Sequence, residues 1–308
     1  MHRLKTLLGL ILLSCILLCA SCVHHPKPDF ILLPDNPPPA LPINNVKVAL
    51  VLSGGGARAL AHAGVIEILE KNNIPISVIV GSSAGSVIGA LYADDPNAKH
   101  LKKKVIALNK WDLLDLNWFA GVKMLWHLTG PVQGSALKFF LQRNMKAKDF
   151  KELQIPLAVV TTDVNRGEAF VLRSGPLGPA LHASSAIPMV FNPVRLYGRT
   201  LIDGGVASPV PVEIAKQFSP QLIIAVDIGT SPDYGPVTNT YELAMRSLHI
   251  SYFKLAKWQT EQADILIHPD VDDYSMFEDK ANHDLYEAGR KAAIEALPKI
   301  RHALTKAS

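Results

Sequence analysis

Val46-Lys47-Val48-Ala49-Leu50-Val51-Leu52-Ser53 runs directly into Gly54-Gly55-Gly56-Ala57-Arg58 and then into a small-residue stretch from Ala59 to Lys71. The same design returns downstream as Ile76 to Val80, then Gly81-Ser82-Ser83-Ala84-Gly85, then Ser86 to Tyr92. A β-branched run reads as a strand buried on both faces, and a turn without bulky side chains lets its backbone approach a ligand closely. Gly81-x-Ser83-x-Gly85 between strand and helix is the pattern of a nucleophile elbow, where a sharp turn exposes one serine hydroxyl. Gly54, Gly55 and Gly56 would aim backbone N–H groups at a helix start, where developing negative charge is stabilised. One unit reads as a nucleophile, the other as an oxyanion hole.

Outward from these units, strands read at Leu157–Thr162, Ala169–Leu172, Gln221–Asp227 and Ile265–His268. Helices alternate with them at Gly178–Ser184, Pro211–Gln217, Tyr241–Ala263 and Ala281–Ala303. Such alternation predicts an α/β fold, a mostly parallel central sheet with helices on both faces. Ligands in these sheets bind at the carboxyl ends of the strands, where both glycine turns fall. The stretch from Ala98 to Leu153 is helical in pattern but rich in aromatics: Trp111, Trp118, Phe119, Trp126, Phe139 and Phe140. Several of its aromatics are read as core, with a lid or lipid-facing role as the alternative. Lys102-Lys103-Lys104 within it reads as a solvated helix turn.

The N-terminus carries Arg3 and Lys5, an apolar stretch from Leu7 to about Leu18, and Cys19-Ala20-Ser21-Cys22. This is the pattern of a secretory signal peptide over residues 1–21, too short for a span of roughly 20 apolar residues. Cys22 after Ala20-Ser21 resembles a bacterial lipobox, with Cys19 where leucine is usual and Cys15 a poorer alternative. All three cysteines lie in this leader, so the body offers no thiol for catalysis and no Cys-based zinc site. Seven prolines between Pro26 and Pro42 predict a semi-rigid tether over residues 22–45. His24-His25 within it reads as solvated rather than metal-binding. Residues 46–308 then form one large domain, and without Arg3 and Lys5 the balance is 29 basic against 27 acidic residues. That near-neutrality gives no argument for a nucleic-acid partner.

A serine nucleophile needs a base. His62, His182 and His268 each read as structural or surface residues from their contexts. The best acidic candidate is Asp203 in Leu201-Ile202-Asp203-Gly204-Gly205, an apolar run ended by a tight turn. Apolar surroundings raise a carboxylate's pKa and make it a better proton acceptor. From Asp203 alone, a structural turn cap would be the better reading.

Asp203 does not stand alone. At this point the chain resembles the patatin-like phospholipase family, and its bacterial members above all. Ser53-Gly54-Gly55-Gly56-Ala57-Arg58 is similar to the family's oxyanion loop, Gly81-Ser82-Ser83-Ala84-Gly85 to its elbow, and Leu201-Ile202-Asp203-Gly204-Gly205 to its Asp-Gly-Gly block. Ala183-Ser184-Ser185-Ala186-Ile187-Pro188-Met189-Val190-Phe191-Asn192-Pro193 matches a further block that precedes the aspartate. Ala59, where many members have glycine, is a departure at a helix start. The resemblance implies a patatin-like three-layer α/β/α fold and a catalytic dyad, Ser83 attacking an ester carbonyl while Asp203 accepts its proton. Gly54, Gly55 and Gly56 would hold the oxyanion, Gly81, Gly85, Gly204 and Gly205 would shape the turns, and Arg58 would be a brace or a headgroup contact. It further implies a phospholipid or lysophospholipid substrate at a membrane surface, with no cofactor and no metal.

Three other readings stand beside this one. Gly54-x-Gly56-x-x-Ala59 satisfies the dinucleotide fingerprint, but the second strand ends at Val80-Gly81 and lacks the acidic residue that fingerprint needs. A Ser83, aspartate, His268 triad would follow α/β-hydrolase order. A lipid-binding surface lipoprotein with a dead site is the third. Lipid on Cys22 would place the domain in a bacterial cell envelope, at the outer rather than the inner membrane because Val23, not aspartate, follows the cysteine. The oligomeric state is not encoded in any of these features.

Overall fold

A computed structural model describes residues 34–108, 134–232, 235–276 and 280–307. Its strands are β1 (Val48–Leu52), β2 (Ile76–Ser82), β3 (Leu157–Asp163), β4 (Glu168–Leu172), β5 (Val194–Leu196), β6 (Arg199–Asp203), β7 (Leu222–Val226) and β8 (Ile265–Ile267). Its α-helices are α1 (Leu60–Lys71), α2 (Ala84–Asp94), α3 (Ala98–Ile106), α4 (Ser135–Asn144), α5 (Leu177–Ser184), α6 (Val212–Lys216), α7 (Thr240–Thr260) and α8 (Asn282–Ala307).

Strand β1 divides its side chains between two interiors. Val48, Leu50 and Leu52 join a cluster with Ile66 and Leu69 of α1, Leu91 of α2 and Leu285 of α8. Ala49 and Val51 point the other way, into a second cluster with Val212 and Ala215 of α6 and Ala256 of α7. All five β1 residues are buried. A side-chain period of two buries both faces only if helices cover both, so the unbroken apolar run dictates a three-layer arrangement. Each Leu, Ile or Val buried this way contributes roughly 1.5–3 kcal/mol.

Strands pair in the order β5-β6-β3-β2-β1-β7-β8, with β4 also on β3. The pairings of β1 with β2 and β7, β2 with β3, and β7 with β8 are parallel, as expected. Beyond β3 the sheet turns antiparallel, through β3–β4, β3–β6 and β5–β6. Short connections enforce this. Tyr197 (φ 53) and Gly198 (φ 68) make a two-residue turn between β5 and β6 with both residues left-handed, the geometry that twists with a hairpin. The sequence reading has no strand at β5 or β6, whose Val194-Arg195-Leu196 and Arg199-Thr200-Leu201-Ile202-Asp203 offer no unbroken apolar run of strand length.

Three other expectations meet the structure here. The stretch from Pro34 to Asn45 touches the domain: the Pro38 carbonyl accepts from Ser174 Oγ, that of Leu41 from Arg173 (3.2 Å), and Ile43 packs on the second cluster. Residues 34–45 therefore lie against the domain, contrary to the expectation that they form part of a tether. In the aromatic stretch Phe140 is buried and Phe139 exposed, while Trp111, Trp118, Phe119 and Trp126 lie outside the described residues, as does the leader with Cys22. Lys102 is no free solvated lysine, since its ammonium sits 4.3 Å from the centre of the Tyr286 ring.

Candidate active site

The register of β3 brings the two blocks together. Strand β2 pairs with β3 up to Ser82 opposite Val160, and β6, running the other way, ends with Asp203 opposite Thr161. Because β4 occupies one edge of β3 over Val159–Asp163, β2 and β6 share the other edge and meet tip to tip. The residue after Ser82 thus arrives beside Asp203. Ser83 Oγ donates to Asp203 Oδ2 at 2.5 Å.

Ser83 sits at φ 52, ψ −131, a region costly for a residue with a Cβ and tolerated where the surroundings fix it. Its carbonyl accepts from the Ser86 N–H (2.9 Å) and the Ser86 hydroxyl (2.6 Å). Its N–H donates to Ser184 Oγ at 2.9 Å, and that hydroxyl donates to the Val160 carbonyl at 2.6 Å. On either side, Gly81 lies against the Ser86 backbone and Gly85 against the carbonyls of Leu52 and Ser53, which closes the elbow onto β1. The fourth sequence block gains a physical role here. Ser184 fixes the Ser83 backbone, while the Ala186 carbonyl accepts the Asp203 N–H at 2.9 Å.

Asp203 is 6 % exposed. Burial pushes its carboxyl up from 3.8 to about 6, although the Ser83 hydroxyl and the Gly205 N–H (2.8 Å to Oδ1) pull the other way. A base near 6 remains mostly ionised at neutral pH and is stronger than an exposed carboxylate. Gly204 follows directly and opens the single helical turn Gly204–Val206 that carries the Gly205 N–H to the carboxylate.

The glycine loop differs from expectation at one residue. Gly54 donates its N–H to the Pro209 carbonyl (3.2 Å), so this group is already engaged. The N–H groups of Gly55 and Gly56 make no hydrogen bond among the described residues, whereas Ala57 donates to Met276 (2.9 Å). Gly56 has φ +60 and a Cβ there would lie 2.3 Å from the Met276 carbonyl oxygen, so only glycine fits. Arg58 is buried, donates through Nε to the Gly55 carbonyl (3.3 Å) and through a terminal nitrogen to Thr230 Oγ1 (2.5 Å). Of its two expected roles the contacts are those of a brace. Desolvation lowers its pKa from the ordinary guanidinium value.

The histidines hold other posts. His62 is fully buried with Nε2 2.9 Å from the Ser53 carbonyl oxygen, and burial drops its pKa to about 4, so it is neutral. His268 lies with Nδ1 3.9 Å from Asp227 Oδ2. His182 lies on α5, its ring facing Gly134. Ser83 Oγ and Asp203 Oδ2 are in direct contact, which leaves no place between them for an imidazole. Tyr252, on α7, went unnoticed in the sequence because it lies outside every motif; its hydroxyl donates to the Gly54 carbonyl at 2.7 Å.

The family model of patatin-like phospholipases matches residues 50–216, which span the glycine loop, the elbow and Asp203. Human patatin-like phospholipase domain-containing protein 6 is 30% identical over 214 residues, covering 68% of this chain and 15% of that protein. Lysophospholipase NTE1 of Scheffersomyces stipitis is 29% identical over 224 residues, covering 70% and 14%. The chain thus spans about a seventh of the length of these curated relatives. Among solved structures, VipD from Legionella pneumophila shares the fold, with TM-score 0.54 and 16% identity over 84% of this chain and 67% of that one. The match covers more than half of the sequence and every block of the site: this chain belongs to the patatin-like phospholipase family.

Proposed function

We propose that the protein is a serine acyl hydrolase that cleaves carboxylic esters of phospholipids or lysophospholipids with a Ser83–Asp203 dyad. The direct 2.5 Å hydrogen bond from Ser83 Oγ to Asp203 Oδ2 carries this reading. As Oγ attacks the ester carbonyl carbon, its proton passes to Asp203 and the carbonyl oxygen becomes an oxyanion. The N–H groups of Gly55 and Gly56, which have no partner among the described residues, would stabilise that charge, each worth roughly 10²–10³ in rate. Collapse breaks the ester C–O bond, Asp203 returns the proton to the leaving alcohol, and an acyl group remains on Ser83. Water then attacks the acyl carbon with Asp203 again as base, the acyl C–Oγ bond breaks, and Asp203 returns the proton to Ser83 Oγ as fatty acid leaves.

The substrate class draws support from family membership and from the lysophospholipase relative. Attachment to a bacterial outer membrane through lipid on Cys22 is a companion proposal that rests on the leader pattern. Replacing Cys22 with serine and fractionating cells tests it: unchanged membrane partitioning and mobility would exclude Cys22 as the anchor.

Hydrolysis of a fluorescent ester, followed by product profiling on a lipid panel, tests the main proposal. Ser83→Ala and Asp203→Asn are each expected to abolish turnover, and the double variant to be little worse, because the pair acts as one unit. Single replacements of His62, His182 or His268 should leave most activity. If one of them removes it as fully as loss of Ser83, a triad operates instead. Loss of activity in chelator, restored by a metal, would also overturn the scheme.

A further inference from the structure

We infer that Tyr252 is a positioning residue of the oxyanion hole, aiming the Gly55 N–H by holding the carbonyl on the other side of the same peptide; this rests on the dyad reading above. A trans peptide is planar and its C=O and N–H point in opposite directions. The Gly54 carbonyl and the Gly55 N–H share one such plane, so the 2.7 Å hydrogen bond from the Tyr252 hydroxyl fixes where that N–H points. Arg58 does the same one peptide later, holding the Gly55 carbonyl and with it the Gly56 N–H. A run of three glycines has little steric resistance to peptide rotation, so its donor directions must be imposed from outside.

The placement of Tyr252 suits this task. A Cβ on Gly54 would lie 2.9 Å from Ser83 Cβ and 3.2 Å from the Tyr252 hydroxyl, so nucleophile and tyrosine flank the same glycine. The ring also presses on Gly205, whose N–H holds the base: a Cβ there would come 2.7 Å from Tyr252 Cε2. Helix α7 is clamped one further stretch along by buried Gln259, which accepts from Val210 N and donates to Ser208 Oγ, both at 2.9 Å. Burial and the carboxylates of Asp227 and Asp203 keep the Tyr252 hydroxyl protonated, its pKa well above the ordinary 10, so it stays a donor throughout the working range.

The test uses the full chain and Tyr252→Phe, which keeps the ring against Gly205 and removes only the hydroxyl. Turnover of a soluble short-chain ester is referred to folded sites counted by complete fluorophosphonate labelling, so a lowered folded yield does not blur the result. The expected outcome is a fall in kcat of about 10–100-fold, short of the roughly 10²–10³ for deleting a donor outright, with KM moving less than about threefold. An alkyl trifluoromethyl ketone, whose hydrate-like adduct on serine carries an oxyanion, should lose affinity in proportion, while the matching methyl ketone should not. If kcat per site and trifluoromethyl ketone affinity both stay within about twofold of the parent, the inference is overturned. A parent protein without esterase activity, or Ser83→Ala retaining it, would instead overturn the dyad reading itself.

Discussion

Asp203→Asn should remove activity and, at neutral pH, make the protein more stable. The carboxyl is buried and its pKa rises from 3.8 to about 6 on folding. The native state therefore binds this proton more tightly than the unfolded chain, and stability falls as pH rises between the two values. Below both values the two states are equally protonated and the penalty is absent; above both it is complete. Linkage gives a cost of ionised Asp203 of about 3 kcal/mol at about pH 7.5 and about 1 kcal/mol at about pH 4.5. Asparagine has the same shape, can accept the Gly205 N–H through Oδ1 and can donate to Ser83 Oγ, so both neighbours stay satisfied without a buried charge. The variant should melt about 5–10 °C above the parent at neutral pH, and the gap should shrink to about a third at pH 4.5. Denaturant midpoints and thermal melts at both pH values, alongside an ester assay, measure this. An Asn variant no more stable than the parent at about pH 7.5, or a gap independent of pH, would refute the argument that burial of the ionised base is what raises its pKa.

Activity of the parent should fall on the acid side as Asp203 becomes protonated, with kcat/KM following a single ionisation near 6; a profile flat through that range would exclude Asp203 as the base. Ser83 is held at φ 52, so Ser83→Gly should be more stable than Ser83→Ala by about 1 kcal/mol while both are inactive, as compared by denaturant unfolding. Ser184→Ala leaves the buried Ser83 N–H without its acceptor and should cost about 1–3 kcal/mol, with a fall in kcat larger than the change in KM. Gly56→Ala would drive a Cβ into the Met276 carbonyl at a left-handed φ, and the variant should lose both activity and several degrees of melting temperature.

The sequence by itself determined the parts whose causes are local. The run from Val48 to Leu52 is apolar at every position, so it must be a strand covered on both faces, and the glycine turns after β1 and β2 fall at neighbouring strand ends of a parallel pair. Ser83 was legible because an elbow is a short-range pattern, and Asp203 because its block recurs with the others in order. The tertiary structure alone decided how these parts act on one another. That β2 and β6 converge tip to tip depends on the register of β3, a strand that carries no motif. That Gly54 gives its N–H to Pro209, while Gly55 and Gly56 have no partner among the described residues, depends on a loop about 150 residues away. The direction of an N–H is the orientation of a peptide plane, and in a run of glycines no local side chain sets that orientation. It is set by whichever distant groups reach the carbonyls, here Tyr252 and Arg58, and only folding brings them there.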